Sequence, residues 1–240
     1  MARLTRKELK KDPFLSVYYD DFVEFAQNHY KKIIIVALIV IVVLFAGAAW
    51  KRRERARQES ANSLLGAALA TFHAYTGQAP ADSLGPGVQT FPNAADKYKA
   101  ALKQFSEVVE KYPRQTAGEI ARYHVGICQA QLGNEDAAIK TLRQAGQASN
   151  REIASMAQFA LAGQLARNKQ LPEAEKILRQ LAEHPTQTVP AASAWLALAD
   201  AYRSTSPAQA RQIYERMAKE YASDAYLADT IKQELATLPR

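Results

Sequence analysis

The sequence predicts an all-α chain: a single transmembrane helix followed by an α-solenoid of about three to four divergent helix hairpins. Three observations carry this reading. Residues 33–50, IIIVALIVIVVLFAGAAW, form an uncharged apolar run. Beyond residue 93 the chain reads as helix, short break, helix, with no strand-like alternation. Within that part, residue types recur at an interval of 36, in the range that marks stacked supersecondary units.

Residues 1–32 read as a polar tail ending in an amphipathic juxtamembrane helix. Asp12-Pro13 supplies a start, with Pro at the first helical position. Leu15, Tyr18, Phe22, Phe25 or Ala26, and His29 follow at helical spacing. Such a helix suits either the headgroup region or a docking partner. Residues 33–50 read as the transmembrane helix. Twelve of the 18 are Ile, Val, Leu or Phe, and the run spans about 27 Å against a bilayer core of roughly 30 Å. Lys31 and Lys32 precede it and Trp50, Lys51, Arg52 and Arg53 close it, a membrane-flanking set whose long cations reach out to headgroups. A signal peptide has a shorter apolar region, although Ala46-Gly47-Ala48 resembles a cleavage site.

Residues 51–77 read as a basic stretch and connecting helix ended by Gly77, with Leu64, Leu65, Ala68, Leu69, Phe72 and Tyr75 on one face. Residues 78–92, with three prolines and Gly85 and Gly87, read as a loop. Asn93 then caps a new helix, with Asp96 three residues on. Residues 93–240 hold the repeats. Ala138, Ala174 and Ala210 are 36 apart; Leu142, Leu178 and Tyr214 follow each by four, and Tyr123, Phe159 and Trp195 precede each by 15. An earlier half-unit is Ala101, Phe105, Val108 and Tyr112-Pro113.

Charge excludes one class of function. The net charge is +7. Residues 51–57 hold five basic and one acidic side chain, whereas residues 58–240 hold 19 basic and 18 acidic. The excess sits beside the apolar run, where anionic headgroups attract it, and the large domain has no basic stripe for nucleic acid. Chemistry is equally sparse. His29, His73, His124 and His184 are scattered, no Gly-rich loop follows a strand, and Cys128 stands alone in an apolar helical run. The expectation is no enzyme, no cofactor, no metal and no small-molecule substrate.

The unit RYHVGICQAQLGNEDAAIKTLRQA, Arg122 to Ala145, resembles the tetratricopeptide repeat family: Gly126, Leu132, Gly133, Ala138, Leu142 and Ala145 match its spacing. The third unit has Lys169 where the family places Gly, and the period is 36 rather than 34. The resemblance implies a concave face lined by the first helix of each pair, with Tyr123, Phe159, Trp195, Arg167 and Arg203 as candidate groove residues that grip a protein partner. The competing reading places the three aromatics in the core between repeats. The layout of tail, anchor, basic stretch and repeats also resembles the ancillary subunits of the bacterial Sec translocon. That implies a single-pass inner-membrane protein whose C-terminal domain lies in the periplasm and meets the translocon, membrane-anchored periplasmic chaperones and membrane lipids. The basic excess after the run argues for the opposite side, and with it a cytoplasm-facing adaptor of a respiratory or cell-division complex.

Overall fold

In a computed structural model the described residues are 13–77 and 89–238, the side chains of 13–28, 33, 36 and 37 excepted. The tail before residue 13 and most of the Gly/Pro loop lie outside them. Helix α1 runs Pro13–Phe72, a strand pair β1 (Tyr75–Thr76) and β2 (Thr90–Phe91) follows, and then come α2 (Ala94–Lys111), α3 (Thr116–Gln131), α4 (Glu135–Ala145) and α5 (Arg151–Arg167). The chain ends with α6 (Leu171–Glu183), α7 (Ala191–Tyr202), α8 (Pro207–Glu220) and α9 (Ala225–Thr237).

Two details depart from the sequence reading. The segments expected as a juxtamembrane helix, an apolar span and a connecting helix belong to one element, α1, which begins at Pro13 and ends at Phe72 rather than Gly77. Tyr75, expected on the apolar face of that helix, stands 57% exposed in a two-residue parallel bridge to Thr90. A pair this short has no alternation to read in the sequence. The chain divides into two units, Met1–Arg57 and Gln58–Arg240.

Within the second unit the local signals are met at the helix ends. Asn93 accepts from the Asp96 backbone N–H at 2.9 Å and donates to the Asp96 carboxylate at 2.8 Å, a reciprocal cap. Asn150 accepts from Glu152 N–H and Asp224 from Leu227 N–H, and Pro172 and Pro207 occupy first-turn positions that need no donor. Consecutive helices from α2 to α9 pack on one another, and α3, α5 and α7 also touch as second neighbours, so they share a layer.

Small side chains set the spacing of that stack. Ala138, Ala174 and Ala210 have no exposed surface, and Leu142, Leu178 and Tyr214 are all within 1% of full burial. Ala101, Phe105 and Val108 are equally enclosed. The core falls into two clusters. One joins Ala61, Leu65 and Ala68 to α2 and α3 up to Cys128; the other runs from Ile139 to Leu238. Gly126 lies where they meet: a Cβ there would stand 2.6 Å from Leu142 Cγ. At Gly118 a Cβ would fall 1.9 Å from the Tyr112 carbonyl oxygen, so only glycine fits against the Tyr112-Pro113 corner.

The turns inside two repeats share one backbone motif. After α3, Asn134 N–H bonds Gln129 O at 2.9 Å and Gly133 N–H bonds Ala130 O at 3.1 Å; after α5, Gln170 N–H bonds Leu165 O at 2.8 Å and Lys169 N–H bonds Ala166 O at 3.2 Å. These are Schellman turns, and they put Gly133 at φ +77° and Lys169 at φ +58°. Lys169 thus holds the left-handed conformation with a Cβ attached, at about 1 kcal/mol of strain. Lys169→Gly is expected to raise stability by roughly that amount, and Gly133→Ala to lower it similarly. Gly118→Ala should cost about 2 kcal/mol or more, because backbone must move. Urea titrations of the full chain in detergent, followed by circular dichroism, decide this. A Lys169→Gly midpoint at or below that of the parent contradicts the strain argument.

Candidate partner-binding face

The layer of α3, α5 and α7 carries the residues singled out by the 36-residue interval. Tyr123 on α3 and Phe159 on α5 are half-buried and pack against the larger core; burial raises the Tyr123 phenol above its ordinary range. Trp195 on α7 is only 8% exposed. The Arg216 guanidinium from α8 stands 3.7 Å from its ring centre, with Arg179 of α6 at 5.8 Å, a cation–π arrangement. All three aromatics thus lie against the body of the stack.

The two arginines part company. Arg203, at the end of α7, pairs with Glu234 of α9 at 2.7 Å and Asp200 at 3.6 Å, and donates to the Thr237 hydroxyl. Its contacts hold the last helix. Arg167, at the end of α5, is exposed and lines a cleft of about 760 Å³ between the ends of α5 and α7. Gly163 and Ala166 form one wall and Ala197 and Ala201 the other. Lys169 and Asp200 stand at its edges, with Ser204 and Thr205 beyond. Small residues on both walls leave room for a chain segment. Arg167 and Lys169 offer donors and Asp200 an acceptor. Of the five candidate groove residues, the structure places Arg167 alone in this cleft.

Sequence reasoning missed the carboxylates that tie neighbouring repeats. Glu119, 8% exposed in the first turn of α3, accepts from Ser149 N–H at 2.8 Å and Asn150 N–H at 3.4 Å, in the turn before α5. Glu152, in the first turn of α5, accepts from Thr188 N–H at 3.0 Å and the Thr188 hydroxyl at 2.8 Å, in the turn before α7. The Thr188 backbone and hydroxyl hold the Glu152 carboxyl below the ordinary carboxylate range. A glutamate in the first turn of alternate helices was the available signal. Between α6 and α7, Glu175 accepts from the Tyr202 hydroxyl and from Arg179, and both hold it low. Asp200 and Ser204 of the cleft carry no such mark in the sequence.

No chemistry-bearing constellation appears among the described residues, and no group of metal-ligating side chains either. Burial raises the Cys128 thiol to about 12, far from a reactive thiolate. His124 stacks on Phe105 at 4.8 Å and meets Phe72 and Tyr123 edge-on, and its Nδ1 has no partner. Burial, with a smaller contribution from His73, lowers it to about 4. Its role is packing where α1, α2 and α3 meet.

In the first unit Lys31, Lys32, Trp50, Lys51, Arg52 and Arg53 are all exposed, Trp50 by 78%. Between them every described large apolar side chain from Ile34 to Phe45 is 48–74% exposed. Among the described residues no helix is long and apolar enough to cross a membrane. The unbroken apolar run with described side chains, Leu38 to Trp50, covers 13 residues, about 20 Å of helix against a core of roughly 30 Å. The expected span at 33–50 needs Ile33, Val36 and Ala37 as well, whose side chains lie outside the described residues.

A family model described as a tetratricopeptide repeat-like domain matches residues 24–185. No curated protein matches the chain.

The enclosed His124 makes a pH prediction. Its folded value of about 4 lies below the ordinary 6.5, so the unfolded chain takes up the proton first as pH falls. Stability present above pH 6.5 should therefore drain away towards pH 4, by about 1–2 kcal/mol for a group this partly shielded. His124→Phe should flatten that part of the profile. Equal slopes for parent and variant in urea titrations across the window would refute it.

Proposed function

The chain belongs to the tetratricopeptide repeat-like domain family, and from that premise we propose a membrane-anchored scaffold that holds protein partners at the outer face of the cytoplasmic membrane. Its service is ancillary to Sec-dependent export or to periplasmic chaperone networks. Stacked helix pairs of this kind work by presenting an extended surface, and the cleft beside Arg167 is an open part of that surface. The chain has no catalytic role.

The observation that carries the anchor is the exposed apolar face of α1 from Ile34 to Phe45. Burying a side chain such as Leu or Ile is worth roughly 1.5–3 kcal/mol, so a run this long calls for a cover, and lipid fits a helix apolar on all sides. The residues matched by the family begin at 24, so the run lies inside the matched stretch. One observation favours a second reading. Five basic residues follow the run closely and only two precede it, which suits a domain held in the cytoplasm as an adaptor of a respiratory or division complex.

Alkaline phosphatase fused to the C-terminus separates the two: activity is expected. An inactive fusion, with the domain protease-resistant in spheroplasts, replaces the export reading with the cytoplasmic one. A photo-cross-linking residue at position 167 should yield adducts with translocon or chaperone proteins. Adducts with lipid only, or none, would dismiss the scaffold.

A further inference from the structure

A cleft of about 370 Å³ lies along α1 within the first unit, lined by Ala46, Ala49, Trp50, Arg53, Glu54 and Arg57. At 100° per residue these positions make a single stripe down the helix. Lys51, Arg52 and Arg55 fall on the other side. Along the stripe the chemistry changes in order: two alanines inside the apolar run, then an exposed indole, then two exposed guanidinium groups that outnumber the one partly buried carboxylate between them, Glu54. The geometry points to a binding site for one anionic phospholipid. Its acyl chain lies over Ala46 and Ala49, and its phosphate is gripped by Arg53 and Arg57.

Each part of the lipid has its counterpart. Alanine side chains leave a shallow channel beside larger neighbours such as Phe45. Trp50 suits the boundary where ring and N–H meet different surroundings. Arg53 lies about 4.5 Å beyond Trp50 along the axis and Arg57 about 10 Å. The headgroup layer is roughly 5–8 Å deep, so Arg53 sits within it and the long Arg57 side chain reaches back to it. Planar guanidinium groups bind phosphate oxygens two at a time. A second copy of the chain would bring two segments of net charge +4 together. An acidic peptide has no reason to extend over the alanines. A molecule apolar at one end and anionic at the other satisfies both ends of the stripe.

This site rests on the anchored reading, and one experiment tests the two separately. The full chain is reconstituted in phosphatidylcholine vesicles carrying a trace of spin-labelled phosphatidylglycerol or spin-labelled phosphatidylcholine. The motionally restricted fraction of each is then read by electron paramagnetic resonance. Phosphatidylglycerol should be favoured, by about fivefold for each arginine. Arg53→Gln with Arg57→Gln should bring the ratio close to one. Lys51→Gln with Arg52→Gln, which removes the same charge from the opposite side, should leave most of it. Equal losses in the two double variants would mean a diffuse charge effect and overturn the site. A restricted component with no preference overturns the site and leaves the anchor standing. No restricted component with either lipid overturns both.

Discussion

Helices stack only as closely as the bulkiest side chain between their axes permits. In this chain that distance is set by alanine and glycine at repeating places. Ala138, Ala174 and Ala210 are sealed between helices, Gly126 admits Leu142, and Gly118 admits the carbonyl of Tyr112. Once the backbones are close, the space left between pairs has a fixed size, and Leu142, Leu178 and Tyr214 fill it. The layer shared by α3, α5 and α7, the position of the cleft, and the burial of Trp195 all follow from this spacing. A methyl group too many at one contact would push apart the pair of helices that meet there.

Polar contacts then lock the register between repeats. Glu119 and Glu152 each reach from the first turn of one helix to the backbone that precedes the next helix of the same layer. Each gives otherwise unpaired amides a carboxyl oxygen as acceptor. Arg203 does the corresponding work at the end of the stack through Glu234. These bonds join residues roughly one repeat apart, so neighbouring pairs keep a constant offset. The Arg167 cleft inherits its shape from that offset.

The hairpin pattern could be read from the sequence because close packing leaves a local mark: a small residue, then a large one four positions later, every 36 residues. Every position in that series proved enclosed. The turn glycine was also readable, and Lys169 adopts the backbone of Gly133 despite its side chain. Recurrence alone could not say what Tyr123, Phe159 and Trp195 touch, since core and groove positions repeat with the same interval. Nor could it separate Arg167 from Arg203, whose difference lies in the helix after next: α9 offers Glu234 and Thr237 to Arg203, whereas α7 lines the cleft beside Arg167 with Ala197 and Ala201. The carboxylate ties and the walls of the cleft are contacts between elements some 30 residues apart, and single positions in a sequence do not announce such partners.

The division of the interior into two clusters bears on how the molecule comes apart. One cluster closes at Cys128 and the other opens at Ile139, with the Gly126–Leu142 contact between them. In a linear array each part is held by its neighbours alone, so opening can start at either end and stop at that joint. The half that includes the end of α1 and the half bearing the cleft each have an interior of their own, and α3 packs into both.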